Sequence, residues 1–189
     1  MPLPPSVDRE EVHQRRIELR GYRRRDGVFE IEAHLVDTKP FPFQRPLQEE
    51  ETPPDTPLHD LWVRLVVDEG LVVRDVVVAA DTMPFAVCLE ATDTLKTMIG
   101  ERIGHGWSRA VRERLGGSAS CTHLAELLGP LATLAFQSLV LVRRARPEAL
   151  DASGKPQRID SCYAYGSGRD VVRRLWPQHY TGRTTPESS

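Results

Sequence analysis

The chain has 189 residues and a mass of 21.3 kDa, the size of a single domain with substantial loops. A net charge of -2 gives no reason to expect a nucleic-acid or membrane partner. The partner could be a small molecule or another protein, and the sequence does not define the oligomeric state. The three widely spaced cysteines exclude a disulfide framework. Because the sequence also shows no pattern typical of a secretory signal peptide, we expect a cytoplasmic protein.

Two β-hairpins are predicted in the first half of the chain. Apolar and β-branched residues flank the turn dipeptides Asp26-Gly27 and Glu69-Gly70. The four predicted strands span residues 12–24, 28–38, 58–68 and 71–80. Between the hairpins, residues 39–57 contain six prolines and an acidic run, and we expect a long unstructured loop there.

Helical periodicity replaces the strand pattern in the second half. The predicted helices span residues 84–99, 106–115, 122–144 and 169–175, with the third kinked or split at Gly129-Pro130. Two hairpins followed by helices predict an α+β domain, in which an antiparallel sheet carries helices on one face. We expect this single domain to cover residues 11–180, with disordered ends at 1–10 and 181–189.

Strand alternation brings a carboxylate and an imidazole to the same end of the sheet. The inward series on the second and third strands are Phe29, Ile31, Ala33 and Leu35, and Leu61, Val63, Leu65 and Val67. Asp37 extends the first series, and His59 precedes the second. If these strands are antiparallel and joined by the 39–57 loop, Asp37 and His59 lie at the same end of the sheet.

Thiols and a further histidine are expected near that end of the sheet. Cys88 and Cys121 lie at predicted helix starts, where the helix dipole favours a thiolate, and His123 follows in the first turn. Asp, His and Cys side chains are ligands for zinc, iron or an iron–sulfur cluster. The predicted metal ligands are therefore Asp37, His59, Cys88, Cys121 and His123.

A metal-free alternative is a small catabolic enzyme or ligand-binding protein that uses a Cys/His pair from the same residues on an anionic small molecule. Cys121 or Cys88 would be the nucleophile, His59 or His123 the base, and Asp37 would orient the base. The arginines of the first strand, read mainly as a solvated face, would then hold an anionic substrate. A third interpretation is an interaction module with inert buried cysteines, and whether the protein is an enzyme stays open. Cys162 is interpreted as a core residue in each case.

Several short elements in chain order carry a resemblance to a known family. The most specific is Cys121-Thr122-His123-Leu124, which follows Gly104 to Trp107 and precedes Trp176-Pro177. On these elements the chain resembles the bacterial family known as domain of unknown function 2889, over roughly Arg15 to Tyr180. The family name implies no activity.

A more distant resemblance carries a functional implication. Residues 60–103 resemble the U-type iron–sulfur cluster scaffold proteins, in which two strands lead to a cysteine at the start of a helix. This resemblance implies the scaffold fold and a ligand set of Asp37, Cys88 and Cys121, with His59 or His123 in addition. The first cysteine of the scaffolds is missing here, and apolar residues around Cys88 replace their glycines.

Overall fold

A four-stranded antiparallel sheet forms the centre of the fold in this computed structural model, which describes residues 3–182. The strands are β1 Gln14–Arg23, β2 Phe29–Thr38, β3 Phe43–Gln44, β4 Glu51–Thr52, β5 His59–Val67 and β6 Val73–Thr82. The main sheet has the order β1-β2-β5-β6, so the two predicted hairpins lie side by side. The first turn contains Gly27 at φ +90°, a left-handed conformation that glycine adopts without strain.

The connection between the hairpins is more ordered than the sequence predicts. Strands β3 and β4 pair within it as a two-stranded ribbon. The Arg45 guanidinium donates hydrogen bonds to Thr52 Oγ1 at 3.1 Å and to the Pro57 carbonyl at 2.7 Å. The prediction that all of residues 39–57 are unstructured is therefore wrong, because strand pairing and the Arg45 side chain hold parts of this Pro-rich segment together.

The α-helices all lie in the second half of the chain. They are α1 Trp107–Leu115, α2 Thr122–Ser138, α3 Val140–Arg144 and α4 Asp170–Leu175, and 3₁₀ segments cover Ala86–Met98, Gly117–Ala119, Tyr163–Tyr165 and Pro177–His179. Helix α2 packs on β1, β2 and β5. The predicted α+β class, an antiparallel sheet with helical packing on its inner face, is confirmed.

Two helix predictions need correction. Residues 86–98 form 3₁₀ turns, in which the hydroxyls of Thr92, Thr94 and Thr97 each donate to the carbonyl three residues earlier. Helix α2 is not split at Gly129-Pro130 but continues to Ser138. Pro130 removes one backbone donor, while buried leucines on both sides of it anchor the helix to the core.

The core lies between the inner face of the sheet and α2. Its buried side chains include Phe29, Ile31, Ala33, Leu35, Leu61, Val63, Leu65, Leu124, Leu127, Leu128 and Leu131. The Trp107 indole, 5% exposed, donates to the Leu128 carbonyl at 3.0 Å and so joins α1 to α2. This layer fixes the start of α2 against one end of the sheet.

The chain forms two compact units, Met1–Leu141 and Val142–Ser189. In the second unit, Val172 is buried and the Arg158 guanidinium lies 5.0 Å from the centre of the Trp176 ring. The single domain over residues 11–180 and the disordered ends stay predictions, and residues 1–2 and 183–189 lie outside the described part of the chain. Within residues 3–182, no helix is both long and apolar enough to cross a membrane.

Candidate metal site

Strand register places Asp37 and His59 opposite each other. They are cross-strand partners at the end of the β2–β5 ladder, and both side chains lie on the inner face of the sheet. Asp37 is only 1% exposed, and its Oδ2 lies 3.0 Å from His59 Nδ1. The predicted meeting of these two residues is therefore seen in the structure, because antiparallel pairing and two-residue alternation determine both positions.

Arg15 compensates the buried charge of Asp37 from the neighbouring strand. It pairs with Asp37 in the β1–β2 ladder, and its Nε and Nη2 each donate to the carboxylate at 2.8 Å. Its Nη1 donates to Glu126 Oε2 on α2 at 2.7 Å, and His13 Nε2 lies 3.3 Å from Asp37 Oδ1. The interpretation of the first-strand arginines as a solvated face is incomplete for Arg15, whose side chain is 30% exposed but whose guanidinium pairs with Asp37 and Glu126.

Helix α2 brings a second histidine to this pair. The rings of His59 and His123 have centroids 3.8 Å apart and an interplanar angle of 35°. One potential ligand atom from each of Asp37, His59 and His123 lies within 4.8 Å of the others. We call these three residues the Asp37 site.

The surroundings set the protonation of all three side chains. Burial would raise the pKa of Asp37, but hydrogen bonds from Arg15 and His13 and the charge of Arg15 outweigh it and lower that pKa to about 2. Burial lowers the pKa of His59, with His123 adding to the effect and Asp37 opposing it. Burial and the charge of Arg15 lower the pKa of His123. Near neutral pH the site therefore offers one carboxylate and two neutral imidazoles.

The cysteines separate into three environments. Cys121 directly precedes α2, and its Sγ lies 3.8 Å from His123 Nδ1. Cys88 is half-buried in the 3₁₀ segment and, like Cys121, is not one of the three residues that form the Asp37 site. Cys162 is exposed beside a 3₁₀ turn, so its interpretation as a core residue is wrong.

The donor set of the Asp37 site is typical of transition-metal sites. Two imidazoles and one carboxylate hold zinc in several catalytic sites and iron(II) in non-haem oxygenases. Ligand atoms about 2.1 Å from a shared ion lie roughly 3.0 to 3.4 Å apart at octahedral or tetrahedral angles. His59 Nδ1 and Asp37 Oδ2, 3.0 Å apart, are joined by a hydrogen bond that an ion bound between these two atoms would replace.

Two sequence patterns could have identified residues that the predicted set of site residues missed. Arg15 follows from the alternation that locates Asp37, since Arg15, Ile17 and Leu19 share one face of β1. Glu126 lies one helical turn after His123, so the two side chains share a side of α2. His13 precedes β1 but extends the same alternating series by two residues and lies within the predicted strand 12–24, so the signal that locates Arg15 also reaches it.

A comparison with models of known protein families gives a match over most of the chain. Residues 13–137 match the profile of a family described as "Protein of unknown function (DUF2889)". The matched region covers more than half of the chain and includes the whole Asp37 site. No curated protein and no solved structure matches the chain significantly.

Proposed function

The chain belongs to the family described as "Protein of unknown function (DUF2889)", and from its Asp37 site we propose that it binds a single zinc or iron ion. The observation that carries the proposal is the approach of ligand atoms from Asp37, His59 and His123 to within 4.8 Å of one another. These residues come from two strands and one helix, so the folded core assembles the site.

The electrostatics of the site support binding of a divalent cation. Metal ligands must be deprotonated, and the lowered pKa values of Asp37, His59 and His123 keep them so near neutral pH. The bidentate contact from Arg15 fixes the orientation of the Asp37 carboxylate, whose two other acceptor positions face His13 and His59.

The proposal favours a mononuclear ion over an iron–sulfur cluster. Clusters are held mainly by thiolates, whereas the Asp37 site offers two imidazoles and a carboxylate. Three protein ligands leave a zinc or iron ion with at least one position for water, a substrate or the neighbouring Cys121 thiolate. The resemblance to iron–sulfur scaffolds and the ligand role of Cys88 stay predictions.

Metal analysis of the untagged full chain, purified without oxygen, tests this function. We expect about one equivalent of zinc or iron in the wild type and its loss in both His59→Ala and His123→Ala, because each removes an imidazole ligand. His34→Ala is the matched control, since His34 lies on the outer face of β2 and bonds to Asp60 at 2.6 Å.

Two results would contradict the proposal. One is wild-type protein without stoichiometric metal that also fails to bind added zinc or iron(II) in a calorimeter. The other is equal metal content in the His59→Ala, His123→Ala and His34→Ala proteins.

Cysteine variants define the remaining ligands. After replacement of the metal by cobalt(II), a thiolate ligand gives a strong near-ultraviolet charge-transfer band, and Cys121→Ser would remove it. Cys162→Ser is the control, because that thiol is exposed in the other compact unit. Loss of metal in Cys88→Ser would instead extend the site to the 3₁₀ segment.

A second candidate function rests on the 3.8 Å between Cys121 Sγ and His123 Nδ1. In metal-free protein, His123 would accept the proton of Cys121, and the thiolate would act as a nucleophile. Faster alkylation of Cys121 than of Cys162 by iodoacetamide, slowed in His123→Ala, would support this function. Equal rates at the two thiols would exclude it.

A further inference from the structure

A solvent-open groove of about 310 Å³, which we call the cavity, lies between the end of α1 and the start of α2. Its apolar wall is formed by Val111, Leu115 and Ala125, with Leu115 buried beneath it. Its volume is at the lower end of the range for small-molecule sites. The size therefore suits a small organic molecule.

Three polar side chains line the same cavity: Arg112, Thr122 and Glu126. Glu126 already accepts a hydrogen bond from Arg15 at 2.7 Å. The Arg112 guanidinium and the Thr122 hydroxyl, by contrast, have no hydrogen-bond or ion-pair partner among residues 3–182. The unpaired groups of the cavity are thus one cation and one hydroxyl.

We propose that this cavity binds a small carboxylate with an apolar body. The carboxylate would accept hydrogen bonds from Arg112 and Thr122, while the hydrocarbon body would lie against Val111, Leu115 and Ala125. An amine of the same shape fits poorly, because Arg112 repels it and Glu126 is paired with Arg15.

The cavity is close to the Asp37 site but chemically separate from it. Glu126 lines the cavity and contacts Arg15, and Arg15 contacts Asp37 at 2.8 Å, so two ion pairs connect the two sites. None of the side chains proposed to bind the carboxylate belongs to the Asp37 site. The inference therefore stands independently of metal binding.

Calorimetric titration of the metal-free full chain with hexanoate tests the inference, with hexylamine and hexanol as matched probes. We expect hexanoate to bind and the other two to bind at least tenfold more weakly, because only the carboxylate pairs with Arg112. Arg112→Ala is expected to weaken hexanoate binding about tenfold or more, and Thr122→Val by a smaller factor.

Arg109→Ala provides the matched control for Arg112→Ala. Arg109 lies on the same helix, pairs with Glu113 at 3.7 Å and does not line the cavity. Ala125→Leu, which adds bulk to the apolar wall, is a second variant that should weaken binding without any change of charge. Circular dichroism confirms that each variant is folded.

Three outcomes would overturn the inference. The first is no detectable binding of hexanoate to the wild type. The second is equal affinity of hexanoate for the wild type and the Arg112→Ala variant, and the third is equal binding of hexylamine. Since every titration uses metal-free protein, these outcomes are independent of the metal analysis.

Discussion

At the scale of single residues, Asp37 on β2 connects its two neighbouring strands, β1 and β5. Its carboxylate is 1% exposed and contacts Arg15 on β1, His59 on β5 and His13 before β1. A buried carboxylate is tolerated only with such partners, because desolvation of an unpaired charge costs several kcal/mol. The local order of the site therefore depends on the ionised form of this one side chain.

We expect Asp37→Asn to lower the free energy of unfolding of the metal-free protein by about 3 kcal/mol at pH 7, because it leaves Arg15 without its carboxylate. The pKa of Asp37 is lowered from 3.8 to about 2 in the folded protein, so its ionisation stabilises the fold above about pH 4. This contribution, about 2 kcal/mol, is lost as the pH falls from about 4 towards 2. Urea unfolding across this pH range measures both effects.

The difference in the free energy of unfolding between the wild type and Asp37→Asn should therefore become smaller below about pH 4. Asp26→Asn, on the exposed turn between β1 and β2, is the control and should change stability by less than about 0.5 kcal/mol. A difference that stays constant down to pH 2 would contradict the assignment of the ionised, paired carboxylate.

At the scale of elements, one hydrogen bond connects the two longest α-helices. Trp107 begins α1, is buried, and donates its indole N–H to the Leu128 carbonyl in the middle of α2. This contact lies two residues before Pro130, which cannot donate to the carbonyl of Glu126. Trp107 thus holds α2 where its own backbone ladder is interrupted.

We expect Trp107→Phe to lower the free energy of unfolding by about 2 kcal/mol, because it deletes a buried donor and part of a buried ring. Trp62→Phe is the control, since Trp62 is 39% exposed and stacks on His34 at the outer face of the sheet. Urea unfolding followed by circular dichroism measures the free energy of unfolding of both variants. Equal decreases in the two variants would contradict the role of Trp107 in joining α1 to α2.

At the scale of the whole molecule, the candidate functions belong to the first compact unit. The Asp37 site, the cavity and the family match over residues 13–137 all lie within Met1–Leu141. This unit contains the four-stranded sheet and the core beneath α2. A compact unit with its own core is expected to fold alone.

We therefore expect residues 1–144, which keep α3 complete, to fold cooperatively and to retain the metal content of the full chain. Thermal unfolding and metal analysis of this fragment, compared with the full chain, provide the measurement. A fragment that is unfolded, or that is folded without metal when the full chain holds it, would show that residues 145–189 are required.

The positions of side chains on the strands were predictable from the sequence, because they follow the two-residue alternation of a β-strand. Alternation and the turn at Asp26-Gly27 determined that Asp37 and His59 lie on one face, and the ladder pairs them directly. The same rule identifies Arg15, yet its charge led to its interpretation as a solvent-facing residue. An arginine that pairs with a buried carboxylate becomes predictable only when that carboxylate is located as well.

The type and length of the helices depended on tertiary contacts that cannot be read from the sequence pattern. Hydroxyl hydrogen bonds in residues 86–98 and the packing of leucines around Pro130 decide between 3₁₀ and α geometry and between a split and a continuous helix. The cavity also depends on how α1 and α2 approach each other. Side-chain packing at these positions overrode local helix propensity.

The connection that contains β3 and β4 begins and ends beside the Asp37 site without defining its geometry. Asp37 and His59 are held by the β2–β5 ladder, and the connection leaves after Thr38 and returns at Leu58. Replacing the whole segment would lose the β3–β4 ribbon and the Arg45 contacts, whereas lengthening it costs little, because doubling the length of a flexible loop costs only about 0.6 kcal/mol. The fold is thus suited to grafting, since new sequences inserted there would sit next to an unchanged pair of side chains.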